Sequence, residues 1–281
     1  MQDFFEGRRL VIATMHRKED VLHPLLKNGL QVLPFVVDGL NTDQLGTFSG
    51  EVARTEGPLA TAKRKCILAM ELSGCDLAVA SEGSFGPHPS IFFLPANEEC
   101  LLLLDRKNKL EIHVSHLSTE TNFSGQDFRS WREVEDFAKK VGFPSHGLLL
   151  RKSKDSLEDL CKGITDLALL QERANYLLHA YGSGYIETDM RAMLNPTRMA
   201  VIQEAGEKLL RKINSRCPAC GFPGFDVVSL ESGLPCSLCG RPTASIKAQH
   251  LGCAHCQHKE VVPHPQGKSS EDPMYCDHCN P

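Results

Sequence analysis

Hydrophobic positions in the first 150 residues alternate between two rhythms. Leu10–Thr14 is a short continuous apolar run and predicts a strand. Within Asp20–Asn28, apolar residues at 21, 22, 25 and 26 follow helical spacing, and Gly29 predicts the stop. Val32–Val37 predicts a second strand. Pro58 is placed to open a helix that carries Leu59, Ala62, Cys66, Ile67 and Met70 on one face and ends at Ser73-Gly74. Leu77–Ala80 predicts a buried strand, with the glycine-bearing stretch Ser81–Pro89 expected as a loop at its carboxyl end. Cys100–Asp105 and Leu110–Val114 flank Arg106–Lys109, the pattern of a hairpin. Ser130 and Glu133 form a capping box ahead of Val134, Phe137, Ala138 and Val141.

From 155 to 215 the spacing predicts mainly helix. Leu157, Leu160, Cys161, Ile164 and Leu167 fit one face, against Gly163, and 172–188 reads equally as a helix end or a strand. Asn195-Pro196 is a cap followed by a first turn, and Ile202, Ala205, Leu209 and Ile213 keep the period. Only 263–273 looks like a linker. The expected architecture is an α/β (or α+β) sandwich over 1–152, a mainly helical segment 153–215 that completes or bridges the core, and a double zinc-ribbon-like module over 216–281.

The composition, 41% hydrophobic and 23% charged over 281 residues, is that of a globular chain. A formal charge of −4 provides no general attraction to nucleic acid or anionic lipid. The first residues mix both charge signs, unlike a secretory signal, and no stretch approaches the length of a spanning helix. Cysteine changes the picture. Eight of the 12 cysteines form four Cys-x-x-Cys pairs: Cys217 and Cys220, Cys236 and Cys239, Cys253 and Cys256, Cys276 and Cys279. Cys66, Cys75, Cys100 and Cys161 stand alone in apolar surroundings. Such pairs mark metal knuckles in a reducing compartment, here the cytoplasm. Intervals of 15 and 19 residues between successive pairs match a four-cysteine ribbon, so each pair is expected to join the next one in the chain. Two zinc ions follow, with iron as the rival. Four sulfurs saturate each ion, so both sites are expected to be structural. Gly221 and Gly240 follow the second cysteine of their knuckles, where a left-handed residue helps amides face sulfur. Residues 207–281 carry one net positive charge, and two four-thiolate zinc sites, each −2, turn this to about −3. That suits a protein partner, or a second copy of the chain, better than nucleic acid.

Candidate chemistry in the front part lies on four polar segments. Ala13–Glu19 ends the first predicted strand and offers Thr14, His16 and Lys18 where α/β sheets bind ligands. The second, Thr42–Glu51, offers Asp43 and Glu51, with Arg54 beyond it. Ser81–Pro89 offers Ser81, Glu82, Gly83, Ser84 and His88. The fourth runs from Thr188 to Arg198 with Asp189, Arg191, Asn195 and Arg198. Structural readings stand beside these: Gly83 and Gly86 shape a turn, Asn195 caps a helix, and His88 and His146 serve as packing groups. No Walker-type, dinucleotide or Gly-x-Ser-x-Gly pattern is present.

ATMHRKE, NTDQLGTFSGEVAR, ASEGSFGPHPS, GFPSHGL, TDMRAMLNPTRM and the terminal YCDHCNP resemble, over essentially the whole chain, a bacterial family of unknown function. A fainter likeness, to inosine triphosphate pyrophosphatase-like enzymes, rests on Ala13-Thr14, Thr47-Phe48 with Glu51, the Ala60–Lys65 helix and Ser81-Glu82-Gly83. Here His16 replaces an asparagine, Lys18 sits one residue early, Glu51 comes one late, and Glu82 stands where an acidic pair is expected. This likeness implies a hydrolase of a nucleotide or another phosphate ester, with Glu51, Glu82 and Asp43 on Mg²⁺ and Lys18 and Arg54 on phosphate. The alternative is a non-catalytic sensor or adaptor that binds a small anion and contacts a protein through its zinc module.

Overall fold

The computed structural model of the chain describes residues 4–40 and 56–281. Among them the fold is mixed α/β and divides into two compact units, Phe4–Leu210 and Arg211–Pro281.

The first unit is built around a five-stranded sheet of order β2-β1-β3-β4-β5. Its strands are β1 (Arg9–Ala13), β2 (Leu33–Phe35), β3 (Leu77–Pro87), β4 (Pro95–Asp105) and β5 (Leu110–Ser118). β1 runs parallel to β2 and β3, whereas β3–β4 and β4–β5 are antiparallel. β1 stops at Ala13, opposite Ala80, but β3 runs on for seven more residues. The Ser81–Pro87 stretch is therefore strand, not the loop its glycines suggested. It pairs with β4 residue by residue, from Ser81↔Leu101 to Pro87↔Pro95, and that ladder overrides the glycine signal.

α1 (Glu19–Leu30) follows β1, and α2 (Pro58–Ser73) leads into β3. α2 buries Ala62, Cys66, Ala69 and Met70 against Val11, Ala13, Ala78, Ala80 and Leu102. Ile67, expected on that face, is only half-buried, and Lys65 is buried in its stead. Gly29 does not stop α1. It lies inside the helix, where a Cβ would meet the Leu210 side chain at 2.5 Å, and Gln31, at φ 54°, forms the left-handed cap.

A second, antiparallel sheet of order β6-β9-β7-β8 comprises β6 (Gly125–Phe128), β7 (Leu148–Arg151), β8 (Cys161–Ile164) and β9 (Gly184–Thr188). α3 (Trp131–Val141) and α4 (Leu167–Tyr181) pack on it through Val134, Phe137, Leu170 and Leu177, against Phe128, Leu148, Leu150 and Ile186. Ser130 caps α3 by accepting from the Glu133 amide at 3.4 Å, as its capping box predicts. Cys161–Ile164 is strand rather than helix. Gly163 sits at φ 72° and donates its N–H to Asp189 at 3.1 Å, so tertiary pairing prevails over a helical period. The boundary expected at 152 falls between the paired strands β7 and β8.

α5 (Pro196–Asn214) starts at Asn195, whose Oδ1 accepts from the Arg198 amide at 2.9 Å. The second unit contains a three-stranded antiparallel sheet of β10 (Asp226–Ser232), β11 (Ile246–Gly252) and β12 (Lys259–Pro263). No helix of the described residues is long and apolar enough to cross a membrane.

Candidate metal centres and a buried ionic cluster

All four knuckles close in the same way. An amide just past the second cysteine donates to the carbonyl of the first: Gly221 to Cys217 at 2.8 Å, Gly240 to Cys236 at 2.9 Å, Gln257 to Cys253 at 3.1 Å and Asn280 to Cys276 at 2.9 Å. Gly221 and Gly240 lie at φ 72° and 73°, as expected, and Gln257 reaches 62° without glycine's freedom.

The pairing between knuckles differs from the sequential one expected. Cys217, Cys220, Cys253 and Cys256 form one quartet, and Cys236, Cys239, Cys276 and Cys279 the other. The β10–β11 hairpin supplies the reason. β10 carries the chain ~23 Å from the first knuckle, and β11 returns it so that Gly252, next to Cys253, pairs with Asp226. The second knuckle is left in the β10–β11 connection, where Cys236 bridges to Glu271 just ahead of the fourth. Closing the longer chain segments is the smaller cost, because loop entropy grows only logarithmically with length.

Within each quartet the sulfurs lie within 4.8 Å of one another. Facing pairs stand at 3.7 Å (Cys217–Cys256, Cys220–Cys253 and Cys239–Cys276) and 3.9 Å (Cys236–Cys279). A tetrahedron with ~2.3 Å metal–sulfur bonds has edges of ~3.8 Å, and a disulfide would draw sulfurs to ~2 Å. The donor set therefore fits a tetrahedral ion. Backbone N–H groups of Cys239 and Leu238 lower the Cys236 thiol to about 7 despite desolvation. The Cys239 side chain raises Cys279 to about 12, so the neighbouring sulfurs share one proton-rich cluster in the absence of a cation. The nearby histidines have other partners: His255 stacks on Phe222 at 4.0 Å, His258 meets Glu260, His250 meets Glu231 and His278 meets Arg241.

In the first unit, the carboxyl end of β1 lies beside the start of the β3 extension. There Lys18, buried at 6% exposure, donates to the Ser81 hydroxyl at 2.9 Å and to the Ser81 carbonyl at 3.3 Å. Among the described residues no carboxylate forms an ion pair with it. Glu82, one residue on, points to the α2 side, where buried Lys65 holds it. On the other face, Glu99 receives Arg198 Nε at 2.7 Å, both side chains being wholly buried. Arg198 also donates to the Met190 carbonyl and lies over the Phe85 ring at 5.1 Å. Gly83 is needed beneath this pair, since a Cβ there would stand 2.5 Å from Glu99 Oε1. Among the described residues the cluster holds Lys18, Lys65 and Arg198 with Glu82 and Glu99. Burial, then Arg198, push the Lys18 ammonium down to about 7, with Glu99 opposing.

Thr14 is buried at the end of β1 and accepts from the His16 amide at 3.4 Å. Ser84 is half-buried on β3. His88 Nδ1 accepts from the amides of Ser90 and Ile91 at 3.2 Å, and His146 Nε2 is 2.9 Å from the Thr197 hydroxyl, so both histidines hold backbone turns. Asp189 is buried and gripped by Arg191 Nη2 at 2.6 Å. Asn195 caps α5, and Arg198 pairs with Glu99. Asp43, Glu51 and Arg54 lie outside the described residues. Sequence reasoning missed Lys65, Glu99 and Asn97. A lysine amid the small apolar residues of α2, and polar residues at inward positions of β4, were the available signals. Asn97 is wholly buried, and neither amide atom has a hydrogen-bond partner among the described residues.

These features define a mixed α/β protein with a buried ionic cluster in its first unit and two clusters of four cysteines in its tail. Residues 65–281 match the family described as Domain of unknown function (DUF6671), and the chain belongs to it. No curated protein matches the chain. The likeness to inosine triphosphate pyrophosphatase-like enzymes finds no support in these comparisons.

Proposed function

We propose that the Phe4–Leu210 unit binds a small phosphorylated molecule at the carboxyl end of β1, and that the tail holds two structural zinc ions. The observation that carries the first part is Lys18, a buried ammonium whose only described hydrogen-bond partners are the two oxygens of Ser81. A buried charge is tolerated when an opposite charge meets it, and a phosphate at this edge would do so. Equilibrium binding of inorganic pyrophosphate and of nucleoside triphosphates to the full chain tests the reading. Binding that weakens at least about ten-fold in Lys18→Met supports it, and equal binding by the variant overturns it.

Zinc suits four thiolates held at tetrahedral edges, with no open position for chemistry. Elemental analysis should find two zinc ions per chain. The reducing cytoplasm would keep the eight thiols available, and the acidic metal-loaded tail favours a protein partner over nucleic acid.

Magnesium-assisted hydrolysis of the bound ester is the second reading, favoured by the buried carboxylate of Glu82 one residue from the Lys18 contact. Among the described residues the only groupings suited to a metal are the two cysteine quartets, and Lys65 engages Glu82. Asp43 and Glu51 are the carboxylates expected to join Glu82 on magnesium. Release of phosphate or pyrophosphate from a nucleoside triphosphate panel with Mg²⁺, abolished in Glu82→Gln, would support hydrolysis. A silent panel with intact binding would leave a sensor or adaptor.

A further inference from the structure

One face of the β3–β4 arm carries more than a phosphate requires. Starting from Ser81, the alternate residues of β3 are Gly83 and Phe85, and the register sets them opposite Leu101, Glu99 and Asn97 of β4. Lys18 stands at the Ser81 end and the Arg198–Glu99 pair at the middle. The outer end presents two ring systems and one amide. Phe85, half-buried, lies 5.6 Å from the ring of Phe123, itself 36% exposed. Asn97 faces Phe85 across the ladder and offers a donor and an acceptor that nothing described satisfies. Leaving both unpaired is costly, and an apolar residue of similar size would avoid that cost. Ser81 and Phe85 are four residues apart, a span of ~13 Å along the strand.

We propose that the phosphorylated ligand is a nucleotide, whose heterocyclic base pairs its hydrogen-bonding edge with the Asn97 amide and stacks on Phe85 and Phe123 while its phosphates reach Lys18. This rests on the phosphate-binding reading above and adds the recognition of the base. A side-chain amide is the group that matches an adjacent donor and acceptor on a planar base, and flanking rings give such a base its stacking surface. Asn97 is wholly buried in the ligand-free protein, so the half-buried Phe85 ring turns aside to admit the base and then lies against its face.

Calorimetric titration of the zinc-loaded full chain with ATP, GTP and inorganic triphosphate provides the test. At least one nucleotide should bind about ten-fold or more tightly than triphosphate, and Asn97→Leu should remove that advantage. The same substitution should raise the melting temperature of the ligand-free protein, because it removes two unpaired buried atoms. Phe85→Leu, at a half-exposed position, is the companion variant should Asn97→Leu not fold, and it should narrow the nucleotide's advantage as well. Triphosphate binding as tightly as either nucleotide, or a nucleotide advantage untouched by these variants, overturns base recognition while the Lys18 reading stands. Failure of all three probes to bind overturns both.

Discussion

Lys18 shows how a residue's environment decides its chemistry. Its position after the first strand was readable, but its burial and its place among Arg198, Glu99, Lys65 and Glu82 were not. The folded pKa, about 7, lies below the model-compound 10.5, so between these values the unfolded chain holds a proton that the folded chain has lost. The charged form therefore destabilises the fold in full below about 7, and this penalty is relieved as pH rises from about 7 to 10.5. Urea denaturation of the wild type and of Lys18→Met at pH 7 and pH 9.5 should show the wild type gaining on the variant at the higher pH. Arg198 offers a contrast. Replacing it with Met strands the Glu99 carboxylate in a dry site, and the expected loss is about 3–5 kcal/mol of unfolding free energy. The double variant with Glu99→Gln should recover part of that loss. Glu99 was illegible because β-alternation in Ala96–Asp105 marks inward positions without saying what waits there. Its partner lies 99 positions away.

Elements were legible where local signals agreed. The caps of α3 and α5, the start and end of α2 and the β4–β5 hairpin all follow from residues within a turn of one another. They were misread where a partner elsewhere overrode the local pattern. Ser81–Pro87 is extended because β4 lies alongside it, and Cys161–Ile164 is extended because β7 does. The two glycines of the β3 extension illustrate this and can be told apart by experiment. Gly83→Ala places a methyl against Glu99 and Arg198 and should cost about 1–3 kcal/mol in chemical denaturation. Gly86→Ala meets nothing within 4 Å and should stay within about 0.5 kcal/mol of wild type.

For the molecule as a whole, the number of ions per chain and their pairing are separate questions. Chelation should abolish structure in Arg211–Pro281, since its eight clustered sulfurs stand where a small unit otherwise needs an apolar core. Circular dichroism should retain the remaining helix and strand signal of Phe4–Leu210. The double variant Cys236→Ser with Cys276→Ser strikes a single quartet in the observed pairing, so one zinc ion per chain should survive, whereas sequential pairing would leave none. The sequence by itself determined that the tail would be built on four cysteine knuckles, because Cys-x-x-Cys turns are local devices that aim two sulfurs at one point. It also determined the alternation of strands and helices in the front half, because hydrophobic period is a property of adjacent residues. Tertiary structure alone decided which knuckles meet, that β3 outruns β1, and that Lys18, Lys65, Glu82, Glu99 and Arg198 share one buried site. Each of these depends on strand register, and register is settled by contacts between segments far apart in the chain.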